Sequence, residues 1–418
     1  MKILVVGSGG REHAICWKLL QSNKVDEIIC APGNGGINKI AKCFSVNAMD
    51  IDRMVTLAKD ENVDLVFVAP DDPLSAGMVD AMEQAGIKAF GPNKKAAQIE
   101  ASKSFSKDLM KKHNIPTASY VVFCDAQNAK DYINEIGAPI VVKADGLALG
   151  KGVYVCMDKD SALKAIDEIM LDKKFGTAGT KVVIEEYMEG AEVSLLCFCD
   201  SKTIKPMISS QDHKRAFNND EGPNTGGMGA FSPSPKYTEE VKEYVEKNIM
   251  IPTMEAMNTE DCPFKGILYI GLMLTKDGPK VLEYNARFGD PETQVVLPLL
   301  NGDLYEIIDA IIDERLDGVN FSFMDKHAAV IVMASGGYPV KYDKGFEVSG
   351  IHNATEVGTL VFQAGTTIRD NKIVTNGGRV LGITGMGDSL DIALKNAYAG
   401  VDKVHFDKAH FRTDIGRK

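Results

Sequence analysis

Between Val281 and Gln294 the chain reads Val-Leu-Glu-Tyr-Asn-Ala-Arg-Phe-Gly-Asp-Pro-Glu-Thr-Gln, five acids or amides and one arginine in fourteen residues. Val281 and Leu282 have the apolar character of a sheet core. The two-residue period of a strand then sets Glu283, Asn285 and Arg287 on one face, and Gly289 and Pro291 end the strand. Two oxygen donors and a guanidinium that point together suit a divalent cation bridged to substrate phosphates. The arginine would neutralise charge on a transferring phosphoryl or acyl-phosphate group. Taken alone, the segment is equally a strand end carrying ordinary solvated charges.

Three glycine-rich or acidic stretches bear on that choice. Gly7-Ser8-Gly9-Gly10-Arg11-Glu12 follows a strand and opens a helix, where backbone N–H groups can cradle an anion. A dinucleotide fingerprint would need glycine in place of Glu12 and an acid after the next strand, which ends Cys30-Ala31-Pro32. A sugar phosphate fits better, with a ligand-free tight turn as the alternative. Lys143 to Val153 places one lysine at a strand end and another, Lys151, in a glycine-rich turn that leads into a second strand. That is a flap over phosphates or a plain hairpin, and not a Walker loop, which would open a helix. Val183 to Ser194 is strand, connection and strand with acids at fixed offsets. Such acids can hold ribose hydroxyls while the connecting backbone meets an adenine edge, although alone they would be a solvated rim. Together these stretches suggest an ATP site without Walker motifs.

The elements that must position these residues follow from the hydrophobic pattern. Strands are expected at 3–6, 27–30, 64–68 and 88–90, alternating with helices over 11–20, 53–60 and 75–85, the rhythm of a parallel α/β domain spanning 1–101. From 102 to 326 the order is α+β. A helix over 102–112 precedes strands at 140–143, 152–156, 181–185, 193–199, 266–274 and 279–284, a helix over 304–313 follows, and a flap subdomain occupies about 121–190. Residues 327–418 read as a small β-rich domain, with strands at 328–334, 359–362, 372–375 and 378–384 and a helix over 389–404. The fold class is therefore multidomain α/β and α+β.

The 418 residues are 44% hydrophobic and 25% charged, which is enough for two to four packed units. Lys plus Arg number 47 against 58 Asp plus Glu, a net charge of −11 that argues against nucleic acid or an anionic membrane as partner. Eight cysteines without a CxxC pair suggest a reducing compartment, and no segment has the length of a membrane span. The reading is a cytoplasmic enzyme with a small-molecule substrate, monomeric or weakly homo-oligomeric.

Lysine at a strand end, glycine-rich flap, Glu-Glu linker and Glu-x-Asn on a late strand followed by arginine resemble the ATP-grasp arrangement. Arg287 to Gln294, Gln211-Asp212-His213-Lys214-Arg215 and Gly222 to Ala230 narrow the resemblance to the phosphoribosylamine-glycine ligases. Gly7 to Ala14 and Pro32-Gly33-Asn34-Gly35-Gly36 also fit, and the similarity runs from Met1 to the C-terminus. One departure is Ala69-Pro70-Asp71-Asp72, where that family usually shows Gly-Pro-Glu.

The resemblance implies a pre-ATP-grasp N-terminal domain, an ATP-grasp domain of two α+β subdomains, and ATP-driven joining of glycine to 5-phosphoribosylamine through glycyl phosphate. It implies Mg²⁺ or Mn²⁺ on Glu283 and Asn285, with Arg287 on the acyl-phosphate oxygens. Lys103 and Lys143 would meet the ATP phosphates, Glu185, Glu186, Tyr187 and Met188 the adenine, and Glu192 the ribose. Asp212, His213, Lys214 and Arg215 would face glycine and the intermediate, with Asn224 nearby and Arg215 and Asn224 also reaching the nucleotide. Asp290 and Glu292 would orient the amine, and Thr225, Gly226 and Gly227 would contact substrate. Gly9, Gly10 and Arg11 would hold the phosphoribosyl group. For His213 a loop position without catalytic role remains the alternative.

Overall fold

The computed structural model describes residues 1–148 and 150–417; Leu149, within the flap motif, lies outside the described residues. At the N-terminus five parallel strands stand in the order Lys42–Cys43, Glu27–Pro32, Lys2–Gly7, Leu65–Val68, Lys88–Phe90. Ile3, Leu4, Val5 and Val6 are wholly buried because both faces of this sheet are covered. Ile3 and Val5 pack with Ile15 and Leu19 on one side, and Leu4 and Val6 with Met54 and Met82 on the other. The helix expected over 75–85 is two helices, Asp71–Ala76 and Met78–Gln84. Gly77, at φ 96°, ends the first and caps the second.

The next sheet is antiparallel, ordered Tyr120–Phe123, Val182–Glu186, Ile140–Ala144, Val153–Cys156, and is backed by the helices Ala126–Ile136 and Lys159–Ile166. A second antiparallel sheet runs Ile204–Pro206, Ala191–Asp200, Lys265–Thr275, Gly278–Asn285. Its long strands alternate, with Val193, Leu195, Cys197 and Cys199 in one core and Leu196 and Phe198 in another. In the strand Gly278–Asn285 the register slips beside Leu282, since Leu272 faces Val281 while Gly271 faces Glu283. A bulge of this kind re-aims side chains. Leu282, expected in the sheet core, packs instead with Met188 and Met273 at the cleft.

The third antiparallel sheet is ordered Gln211–Asp212, Gly229–Ser232, His327–Ser335, Arg379–Gly387, Leu360–Gln363, with Ala409–His410 added to His327–Ser335. The helix Leu390–Val401, capped by Ser389, covers it. Two of its strands come from before residue 327, so the sheet crosses the division expected there. No helix of the described residues is long and apolar enough to cross a membrane.

Candidate functional site

The three sheets and the start of the first helix enclose a cleft of about 1120 Å³. At one end the strand Ile140–Ala144 delivers Lys143, and the strand Val182–Glu186 delivers Glu185. Lys143 Nζ lies 2.9 Å from Glu185 Oε2 and 3.2 Å from the Leu282 carbonyl oxygen. A second lysine, Lys107, meets the same Glu185 oxygen at 3.0 Å and donates to Thr117 Oγ1 at 2.8 Å. Burial pushes the Lys107 ammonium down to about 8, against the opposing pull of Glu185. Glu185 Oε1 is buried and accepts no hydrogen bond from the described residues, so it is open to a donor on a ligand. Lys103, whose pKa burial also lowers, donates to the Gly146 carbonyl under the flap. Tyr187 and Met188 line the same end, while Glu186 sits at its rim, accepting from Ser119 and pairing with Lys280.

Mid-cleft, Glu283 and Asn285 end their strand side by side with Arg287. Burial alone would raise the Glu283 carboxyl, but Lys214, Lys143, Lys103 and Arg287 together bring it below its ordinary value. The Arg287 guanidinium is oriented by the Glu100 carboxylate (2.8 Å), the Asn285 amide oxygen (3.0 Å) and the Phe288 carbonyl (3.3 Å), and its buried Nε has no partner among the described residues. Glu100 also accepts the Ala286 N–H at 2.7 Å, and burial pushes its carboxyl up to about 7 despite Arg287. Among the described residues no three His, Cys, Asp or Glu side chains cluster as a metal site. One carboxylate and one amide oxygen fit a hard cation that takes its remaining ligands from water and nucleotide phosphates.

At the other end Lys214 pairs with Glu192 at 2.9 Å beside Asp212. Burial first, then Glu292, Glu192 and Glu283, push the Asp212 carboxyl up to about 7 against Lys214. Tyr269 donates to Glu292 Oε1 at 3.0 Å and shares a 2.7 Å bond with Ser194. Asp290 accepts from Gln294 at 2.8 Å and pairs with Arg379 at 3.3 Å. Asp71, from the segment that departs from the family pattern, lines the cleft. Its carboxyl is lowered on balance, because Arg287 and Arg11 outweigh burial.

Several expected residues also have structural partners, although His213, Arg215 and Asn224 do line the cleft. Gly9 and Gly10 do not line the cleft: the Gly9 N–H donates to Glu12 Oε2 at 2.5 Å, and a side chain on Gly10 would collide with Gln294. Arg11 does line it, held by Glu12 at 2.6 Å and the Phe288 carbonyl at 3.0 Å. His213 packs on Phe231 and accepts the Gly416 N–H. Arg215 donates to Gly222 O within its own hairpin, in which it pairs with Asn224. Thr225 and Gly226 face the cleft; Gly227, at φ 113°, turns behind them against Pro291. Sequence reading missed Lys107, Glu100, Tyr269 and Arg379. Only Lys107 carried a signal, standing four residues after Lys103 on one helical face.

Family models for phosphoribosylglycinamide synthetase match residues 1–100 (N domain), 101–293 (ATP-grasp domain) and 328–418 (C domain). The chain belongs to the phosphoribosylglycinamide synthetase family. A phosphoribosylamine-glycine ligase of Halalkalibacterium halodurans is 48% identical, over 100% of this chain and 97% of that protein. A trifunctional purine biosynthetic protein of Gallus gallus is 49% identical over 99% of this chain and 42% of its own length. The crystal structure of a phosphoribosylamine-glycine ligase from Thermotoga maritima superposes with a TM-score of 0.85 at 31% identity, each chain fully covered. A biotin carboxylase from Campylobacter jejuni shares the fold at 13% identity and a TM-score of 0.72, over 98% of this chain and 92% of that one. Asp212 to Lys214 line the same cleft as Asp290 and Glu292.

Proposed function

We propose that the protein is the ATP-dependent carbon-nitrogen ligase that joins glycine to 5-phosphoribosylamine in purine biosynthesis, releasing glycinamide ribonucleotide, ADP and phosphate. The observation that carries this reading is one cavity that holds a lysine-rich nucleotide end, a carboxylate-amide pair and a mixed-charge acceptor end in series. The adenine lies over Leu282, Met188 and Met273, with Glu185 Oε1 as acceptor. Lys103 and Lys143 meet the phosphates. Glu283 and Asn285 would hold a divalent ion, Mg²⁺ or Mn²⁺, which would neutralise charge on the nucleotide phosphates.

The glycine carboxylate is a poor electrophile. An oxygen of it attacks the γ-phosphorus, ADP leaves, and glycyl phosphate forms with its oxygens before the pre-aimed Arg287. The ribosylamine nitrogen then attacks the acyl carbon, the C–O bond to phosphate breaks, and the nitrogen sheds a proton. Asp212, poised near neutrality by burial, accepts that proton, and Asp290 and Glu292 orient the amine. Arg11 and Lys214 hold the phosphoribosyl group and the glycyl group respectively.

A second reading, a bicarbonate-using carboxylase, rests on the fold shared with biotin carboxylase. A coupled assay of ADP release separates the two. ADP should appear only when glycine and ribosylamine are both present; release with bicarbonate in place of glycine would overturn the ligase reading.

A further inference from the structure

Arg379 begins the strand Arg379–Gly387 of the third sheet, more than eighty residues after the last segment assigned a role above. Pairing with His327–Ser335 slips there, since Met333 faces Leu381 while Ala334 faces Arg379, and the arginine lies at the cleft. Its Nη1 donates to the carbonyl of Gly226 at 2.7 Å and to that of Asp290 at 2.6 Å, and its Nη2 lies 3.3 Å from Asp290 Oδ2. Tyr338, in the same C-terminal region, accepts the Gly226 N–H at 3.2 Å. Both sides of Gly226 are thus held from the C-terminal region. A Cβ on Gly226 would sit 3.0 Å from the guanidinium carbon, so only glycine admits this approach without displacement.

The Asp290 and Gly226 segments abut, Gly227 against Pro291, yet share no backbone hydrogen bond with each other in the described residues. One guanidinium spans both. Its planar fork suits that task as a lysine's single ammonium does not. We infer that Arg379, assisted by Tyr338, is a positioning residue for the ribosylamine, fixing Asp290 against the Thr225–Gly227 turn where both line the cleft that holds the acceptor sugar.

This rests on the ligase reading. Arg379 touches none of Lys107, Lys143 and Glu185, so nucleotide binding should be indifferent to it. The test is Arg379→Met in the full chain, with KM for ribosylamine and for glycine and calorimetric affinity for ATP. KM for ribosylamine should rise about 10- to 100-fold, as misplacement of a binding group by an ångström commonly costs. ATP affinity and KM for glycine should stay within about twofold of wild type. Arg379→Lys should recover part of the loss, and Tyr338→Phe, a milder change that keeps the ring, should raise the same KM alone by about threefold. Equal loss of ATP and ribosylamine binding would reduce Arg379 to a structural role and overturn the inference. So would an unmoved ribosylamine KM in both Arg379→Lys and Tyr338→Phe. A wild-type protein without ribosylamine-dependent ADP release would instead overturn the ligase reading, and this inference with it.

Discussion

At one end of the cleft Lys103, Lys107 and Lys143 gather, two of them on the single carboxylate of Glu185, whereas from mid-cleft to the other end Arg11, Arg287 and Arg379 alternate with Asp71, Glu100, Asp290 and Glu292. On the proposed reading, the difference follows from what each end receives. ATP brings its own negative charge, so a surplus of buried ammonium groups, two of them shared by one carboxylate, completes the balance. The acceptor carries an amine and a phosphate on one small sugar, and the attack needs direction. Arginines locked by acids supply fixed donors where lysines would supply only charge.

The largest blow to this contrast should come from the point where the ends meet. Glu283→Ala is expected to lower kcat by at least about 1,000-fold, since the carboxylate that would hold the cation is removed. Its melting temperature should stay near wild type; near-normal turnover would deny Glu283 a metal role. Next, Glu100→Gln keeps an acceptor for the Ala286 N–H but removes the charge that aims Arg287. We expect kcat to fall about 10- to 100-fold with ATP affinity intact, as for other supporting shells. A change in ATP affinity alone would put Glu100 at the wrong end.

Smaller still, Lys107→Met removes one of the two ammonium groups that hold Glu185; it should weaken ATP about tenfold and leave KM for ribosylamine alone. If both constants moved together, the two ends would not be separable. The mildest test is pH. His13 accepts the Gln363 N–H where the first helix meets the C-terminal sheet, and burial holds it down to about 4 from 6.5. The folded state keeps it neutral while the unfolded chain takes up a proton. Stability is therefore full above pH 6.5 and is lost as pH falls toward 4, by about 3 kcal/mol at most. Melting curves of wild type should fall more steeply over that window than those of His13→Asn; parallel slopes would remove His13 from the acid response.

Much of this was legible in the sequence. The runs Ile3 to Val6 and Leu65 to Val68 announce a parallel sheet because both faces are buried, and Glu283, Asn285 and Arg287 announce a site because acids rarely crowd a core strand. What stayed hidden depends on register and long-range approach. Nothing local in Val-Leu-Glu marks the bulge that turns Leu282 to the cleft. Gly9 and Gly10 look like an anion cradle, yet the Glu12 that spoils the dinucleotide fingerprint also occupies the Gly9 N–H. Glu100 and Arg379 act across 187 and 89 residues, on Arg287 and Asp290, and no spacing rule reaches that far.

The strand Gly229–Ser232 is paired on one side by Gln211–Asp212 and on the other by His327–Ser335. On a ribosome that second partner emerges about a hundred residues later, roughly ten seconds of synthesis. For that interval a nascent chain carries a nearly complete lysine end and an open, apolar strand edge at the place where the acceptor end will be. The order of synthesis thus exposes the growing polypeptide to edge-to-edge association along Gly229–Ser232 until its final quarter pairs with that strand.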